Sequence, residues 1–323
     1  MLPSPGIRIV NAFLNSDVAL LRRAANFLTI NTLYYKHTNH LAFLISPCQG
    51  KEILYLSAAL VIVGEKINSS NKHVASALEK RDAEYVQKLG EEQVEAGADY
   101  IDVNAGTFVN QEAELLTWLV KTTQSHVSKP CCIDSPNPDA LEKALEVHQG
   151  RAMINSITGE KERRQKLIPL VKHHEAKVIA LCIGEGRIPE TADDRVRIGG
   201  SIIDDLLKEG IPLQDIYIDP LVQPIATNPS SACIALEVIE KIMSRYPGIH
   251  TVCGISNISY GLPSRKAINA AFLTMALAKG LDTAILDPCN PLMLSSLLAS
   301  EALTGRDSYG LKYIAAFRKG KIK

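Results

Sequence analysis

Eight short apolar runs, each followed by a stretch of helical character, set what this chain can fold into. The runs are ALVIVG (59–64), DYIDVN (99–104), PCCID (130–134), RAMIN (151–155), KVIALCI (177–183), DIYID (215–219), HTVCGIS (250–256) and DTAILD (282–287). Their hydrophobicity is continuous rather than alternating, which predicts strands of a parallel sheet buried on both faces. Helical period is plain in AEYVQKLGEEQVEAG (83–97), PDALEKALEVH (138–148), DRVRIGGSIIDDLLKEG (194–210) and KAINAAFLTMALAKG (266–280). Gly97, Gly210 and Gly280 stand where a left-handed residue would end a helix before the next strand. Eight such units at a spacing of roughly 30 residues predict a closed (β/α)8 barrel, the TIM-barrel fold. An open doubly wound sheet is the alternative, but VIVGEKINSSN after the first run carries neither a G-x-G-x-x-G turn nor a P-loop.

A barrel of this kind builds its site at the C-terminal ends of the strands. The residues at those exits are Glu65 and Asn68, then Asn104, Asp134, Asn155, Glu185, Asp219, Asn257 and Asp287. None is histidine; the eight histidines fall in the first 58 residues, in helical stretches or just before strands. A histidine base or a histidine-ligated metal is therefore hard to assemble from these exits, and no protein-bound metal is expected. Carboxylates beside neutral amides suit a heterocycle that presents an amino group and ring N–H donors. A pterin has such an edge. An Asp or Asn after a strand is also a favoured helix N-cap, and Asp134 before Ser-Pro-Asn-Pro or Asp219 before Pro is open singly to that reading. Recurrence at successive strand ends favours a shared ligand.

Lys plus Arg equals Asp plus Glu, at 35 each, and no long basic block occurs, so no nucleic-acid partner is expected. The seven cysteines form no C-x-x-C pair and no zinc-like cluster, which fits a reduced, cytoplasmic setting. Those inside apolar runs, Cys131, Cys132, Cys182 and Cys253, read as small buried hydrophobes.

Residues 1–58 differ in character from the rest. They are poor in acids, with Asp17 and Glu52 against Arg8, Arg22, Arg23, Lys36 and Lys51. They lack the apolar stretch of about 20 residues that spans a membrane and the pattern of a secretory signal. An organelle presequence is conceivable, but an N-terminal extension of poor order, ahead of a barrel at 59–323, is the expected organisation.

The ordered motifs GEKIN (64–68), IDVNAG (101–106), CCIDSPN (131–137), RAMINS (151–156), YIDPLVQP (217–224) and GISNISYGLPSRKAINAAFL (254–273) closely resemble the pterin-binding methyltransferases that act on methyltetrahydrofolate and a corrinoid. That group includes the folate module of cobalamin-dependent methionine synthase and the methyltransferases of corrinoid demethylase systems. The resemblance implies a barrel like that of dihydropteroate synthase, and methyl transfer between N5 of methyltetrahydrofolate and the cobalt of a corrinoid. It implies that Asp134, Asn155 and Asp219 hold the pyrimidine edge of the pterin, with Glu65, Asn68 and Asn104 in the same pocket. Asn257 matches a mobile asparagine that hydrogen-bonds near N5 and carries the catalytic role. Arg265 and Tyr260 match positions on the substrate or corrinoid side, Tyr260 standing where one branch has glutamine. No D-x-H-x-x-G signature of a cobalamin module is present, so the corrinoid (cobalamin) is expected on a separate corrinoid protein; a homodimer is also implied. Dihydropteroate synthase is the rival enzyme, but its Gly-Glu-Ser-Thr-Arg-Pro loop is replaced by NAGTFVNQ and its terminal Arg-Val-His strand by ILDPCNP. A non-catalytic folate-binding protein is the rival of another class.

Overall fold

The computed structural model describes residues 43–45, 53–55 and 59–323. The chain divides between Ala58 and Ala59. Before that division, β1 (Phe43–Ile45) and β2 (Ile53–Tyr55) pair antiparallel. The expectation of a poorly ordered extension over 1–58 otherwise lies outside the described residues.

After the division, eight strands form a closed parallel barrel in the order β10-β3-β4-β5-β6-β7-β8-β9. They are β3 (Val61–Asn68), β4 (Tyr100–Asn104), β5 (Cys131–Asp134), β6 (Met153–Ile157), β7 (Lys177–Leu181), β8 (Ile216–Asp219), β9 (His250–Gly254) and β10 (Thr283–Leu286). The helices that follow them are α1 (Lys72–Lys80) and α2 (Ala83–Glu95), α3 (Glu112–Gln124), α4 (Pro138–Val147), α5 (Lys161–His173), α6 (Ala192–Lys208), α7 (Ser231–Arg245), α8 (Arg265–Ala278) and α9 (Pro291–Leu303), with α10 (Leu311–Arg318) closing the chain. No helix of the described residues is long and apolar enough to cross a membrane.

The continuous apolar runs are explained by two separate cores. Outward residues such as Ile62, Ile101, Ile133, Ile154, Val178 and Ile218 pack under the helices. Inward, Val63, Tyr100, Cys132, Met153, Ile179, Tyr217 and Val252, one from each of seven strands, fill the barrel, and Ile285 of β10 packs against them. Side chains alternate faces along a strand, so the residues two places further on share the inward face. They are Glu65, Asp102, Asp134, Asn155, Leu181, Asp219, Gly254 and Asp287. The layer above the apolar plug is thus almost wholly polar.

Below the plug, Lys177 Nζ donates to Tyr217 Oη at 2.9 Å and lies 5.3 Å from the ring centroids of both Tyr100 and Tyr217. His250 stacks on Tyr217 and meets Asp282 at 2.7 Å. This end is closed by mutually satisfied groups, as expected of the stability face of such a barrel.

Strand β3 runs four residues beyond the apolar segment that ends at Gly64. Its register shifts between Gly64 and Ile67, and there the Lys66 N–H leaves the sheet to donate to Gln93 Oε1 at 2.9 Å. Gln93 is fully buried on α2, and a Cβ on Gly64 would lie 2.5 Å from that same oxygen. Gly64→Ala therefore has to displace the acceptor of a buried N–H. We expect it to lower stability by about 1–2 kcal/mol, read as a reduced urea midpoint; an unchanged midpoint would show that Gln93 moves freely.

Candidate functional site

Four of the strand-exit residues are nearest neighbours across adjacent strands. The register pairs Asn68 with Asn104, Asn104 with Asp134, and Asp134 with Asn155, giving one polar row over β3, β4, β5 and β6. Asn104 Nδ2 donates to Asp134 Oδ2 at 2.9 Å, and its Oδ1 accepts from Ser69 Oγ and Gly106 N, both at 3.0 Å. Asn104 is thereby fixed from one end and fixes Asp134 with the other. Asn68 Oδ1 accepts from the Ser70 N–H at 2.9 Å and shapes the turn into α1. Asp219, across the barrel, pairs in register with Leu181 and uses Oδ1 for the Leu221 N–H at 2.8 Å.

Capping does not account for these residues. The N-caps of α4, α5, α7 and α8 are Asn137, Glu160, Ser230 and Ser264. Asp134, Asn155, Asp219 and Asn257 cap none of these helices.

Burial governs the charge of the pocket. It raises Asp134 to about 6, against a lowering by the Asn104 hydrogen bond; Glu112 raises it further and Arg163 lowers it. Asp219 is raised to about 7 by burial, with the Leu221 N–H and Arg195 acting the other way. Glu65 is raised to about 7, first by burial, opposed by a hydrogen bond from Ser256, with Asp287 raising and Arg265 lowering it. Asp102 lies deepest, is 3 % exposed, and is pushed well above the usual carboxyl range by burial and then by the charge of Asp134. Its Oδ1 has no hydrogen-bond partner among the described residues. Carboxyls raised in this way bind more protons folded than unfolded from about pH 4 upward, so they subtract stability as pH rises toward 7. A ligand offering N–H donors reverses that penalty.

Two arginines set the surrounding loops. Arg163 of α5 donates to Ser156 O at 2.7 Å, to Ser135 O at 3.0 Å and to Pro136 O, tying the exits of β5 and β6 together. Arg195 of α6 is fully buried and donates to Pro220 O at 2.9 Å, Leu221 O at 2.6 Å and Gln223 Oε1 at 2.7 Å, so it holds the loop after Asp219.

Asn257 stands apart from the half-buried row, exposed in a 3-10 turn (Ile255–Ser259) that follows β9. Its Nδ2 would lie 3.1 Å from a Cβ on Gly254. Gly254 has φ −73°, which any residue adopts, so Gly254→Ala touches Asn257 without straining the backbone. We expect it to slow turnover about threefold to tenfold by displacing the amide, with stability unchanged in a thermal melt; an unaffected rate would mean that Asn257 has room elsewhere. Arg265 donates to Ser259 Oγ at 3.0 Å and Ser256 O at 2.7 Å, and its guanidinium sits 5.8 Å from the ring centroid of the exposed Tyr260.

The structure brings Asn68, Asn104, Asp134 and Asn155 into one row and lines Glu65, Asp219 and Asp287 on the same inward layer. Glu185 differs: it is exposed and accepts from the Lys161 N–H at the start of α5, at 3.2 Å. Strand β7 stops at Leu181, so Leu181 and not Glu185 faces the pocket. The strand exits did not include Asp102, whose signal was a charge in the middle of an apolar run, two places before Asn104. Arg163 and Arg195 sit on amphipathic helices, where nothing in the local pattern separates them from solvated residues. Among the described residues no group of His, Cys, Asp and Glu is arranged to hold a metal ion.

An inward layer of half-buried carboxyls and amides stands at the mouth of a barrel, and the chain belongs to the family of pterin binding enzymes, whose profile matches residues 64–287. The motif resemblance to that family is borne out. The chain is 36% identical over 265 residues to a methylcorrinoid:tetrahydrofolate methyltransferase of Eubacterium limosum, covering 81% of this chain and 98% of that protein. It is 29% identical over 241 residues to a methionine synthase of Mycobacterium tuberculosis, covering 71% of this chain and 20% of that protein. Dihydropteroate synthases share the fold. One from Xanthomonas albilineans superposes with a TM-score of 0.58 at 17% identity, covering 78% of this chain and 95% of that one. One from Thermus thermophilus gives 0.58 at 18%, covering 76% and 94%.

Proposed function

We propose that this chain transfers a methyl group between N5 of a tetrahydrofolate and the cobalt of a corrinoid carried by a separate protein. The observation that carries the reading is the half-buried row of Asn104, Asp134 and Asn155 facing Asp219 at the C-terminal end of the barrel. The named activity of the Eubacterium limosum relative, matched over nearly its whole length, supports it and favours the direction from methylcorrinoid to folate.

Asp134 and Asp219 accept from the amino and ring N–H groups of the pterin, and Asn155 supplies both a donor and an acceptor to the same edge. Asn104 acts by orienting Asp134, while Asn68 completes the pocket wall. Asp102, whose proton affinity burial raises and whose Oδ1 has no partner among the described residues, offers the ligand a further hydrogen-bonding group. The other end of the folate then lies under Asn257. In transfer to folate the N5 lone pair would take the methyl carbon, the electron pair of the carbon–cobalt bond would stay with the corrinoid, and the N5 proton would pass to solvent; in the reverse direction N5 would gain a proton before it departs. Asn257 serves both directions, because an amide accepts a hydrogen bond from N5–H or donates one to the N5 lone pair. The corrinoid supplies the cobalt chemistry; this chain binds, orients and stabilises charge.

Exposed apolar residues in the loops after β4, β7 and β9, Val109, Ile188 and Tyr260, with Leu292 in the first turn of α9, support docking of a corrinoid protein over the mouth. Arg265 and Tyr260 stand on that side. A cytoplasmic homodimer completes the reading. Cys131, Cys132, Cys182 and Cys253, free and buried, favour a reducing compartment.

The loop after β4, NAGTFVNQ, and the exit of β10, DPCNP, offer no arginine for a diphosphate, which disfavours dihydropteroate synthesis. The two readings separate in one assay. Supplied with a hydroxymethyl-dihydropterin diphosphate and 4-aminobenzoate, the protein forms no dihydropteroate, whereas supplied with tetrahydrofolate and methylcobalamin it depletes the methylcobalamin absorbance. Dihydropteroate without loss of methylcobalamin would reverse the assignment.

A further inference from the structure

The turn that carries Asn257 is gripped from two elements that lie far apart in sequence. From β3, Glu65 Oε2 accepts from Ser256 Oγ at 3.0 Å. From α8, Arg265 donates to Ser256 O and, through Nε, to Ser259 Oγ. The Ile258 carbonyl is held as well, by the Ile225 N–H of the loop after β8, at 3.0 Å. Every residue of the turn from Ser256 to Ser259 thus takes part in a hydrogen bond, and among its polar side chains only that of Asn257 makes none, its backbone carbonyl alone taking the Tyr260 N–H at 3.2 Å. The Asn257 amide is left with the space over Gly254.

We infer that Glu65 and Arg265 are positioning residues that clamp Ser256 and Ser259 on either side of Asn257, so that Asn257 moves as a side chain on a fixed turn. This rests on the proposed role of Asn257, and it assigns Glu65 to the turn rather than to the pterin. The geometry explains why a carboxyl is placed at the inward end of β3. It accepts from the Ser256 hydroxyl of the turn after β9, and Arg265, which lowers its proton affinity, grips the carbonyl of the same serine. A guanidinium reaches both Ser256 O and Ser259 Oγ, which a single ammonium in place of the fork cannot do with the same geometry.

A double-mutant cycle on Glu65 and Ser256 tests the clamp. Glu65→Ala and Ser256→Ala are each expected to lower kcat for methyl transfer about tenfold with the folate Kd within about twofold, and the double variant is expected to fall no further. Glu65→Gln retains an acceptor for Ser256 and recovers most of the rate; Arg265→Lys shows the same loss confined to kcat. Additive losses in the cycle, or a folate Kd weakened about tenfold by Glu65→Ala in either background, would overturn the assignment. Crystal structures of the Glu65→Ala and Ser256→Ala proteins decide the matter without any assay: the turn Ile255–Ser259 is displaced in both, and a turn unmoved in both contradicts the clamp. That readout stands even if the wild-type protein transfers no methyl group, a result that would remove the functional reading alone.

Discussion

Asn257→Ala is expected to slow methyl transfer by about 10²–10³-fold, the range found when a group aimed at developing charge is removed, while the folate Kd changes by less than about threefold. The separation follows from where the residue sits. Asn257 is exposed, outside the half-buried row, and hydrogen-bonded to its surroundings only through its backbone. Removing its amide leaves Asp134, Asn155 and Asp219 as they were, so the ground-state complex keeps its anchors. What is lost is the interaction that strengthens as charge changes at N5. Stopped-flow spectroscopy of the corrinoid bands gives the rate, and fluorescence titration gives the Kd. Equal losses in both would place Asn257 among the binding residues.

Asp219→Asn is expected to do the reverse, weakening folate binding about 100-fold with a smaller effect on the rate from the bound state. Asp219 is half-buried, and one oxygen is committed to the Leu221 N–H. An amide at this place either gives up that local bond or turns an N–H toward the N–H donors of the pterin. The same chemistry dictates a pH dependence. Asp219 titrates at about 7 and Asp134 at about 6 in the free protein, both raised by burial, and only the ionised forms accept two N–H donors. Affinity is therefore full above pH 7 and falls as the pH drops through 7 and then 6, by up to about tenfold per unit for each group. Binding at pH 6 releases protons, which calorimetry in two buffers of different ionisation heat measures directly. Proton uptake, or an affinity flat from pH 5 to 8, would contradict the assignment.

Much of this site was legible because strands have a period of two. Once the apolar runs are aligned, the inward residues above the plug follow from counting, and Asp134, Asn155 and Asp219 stand where the count puts them. The failures have physical causes. Glu65 and Lys66 interrupt the hydrophobic run, so β3 reads as ending at Gly64, although a bulge anchored on Gln93 carries it on to Asn68. Strand β7 ends before its apolar run does, which leaves Glu185 on the surface and Leu181 as the pocket wall. Arg163 and Arg195 reach their carbonyls only through the packing of α5 and α6 on the barrel, a relation between distant segments that local pattern does not encode. The Asn104 to Asp134 bond is likewise a product of register. Residue type suggested two ligands for a heterocycle; the fold makes one of them the support of the other.

The most direct test follows the methyl carbon itself. Methylcobalamin labelled with carbon-13 in the methyl group is mixed with tetrahydrofolate and the purified wild-type protein, and the label is followed by NMR. The predicted result is label at N5 of the folate, at an initial rate proportional to protein concentration and abolished by Asn257→Ala. Folate that binds tightly while the label stays on cobalt would contradict the central claim.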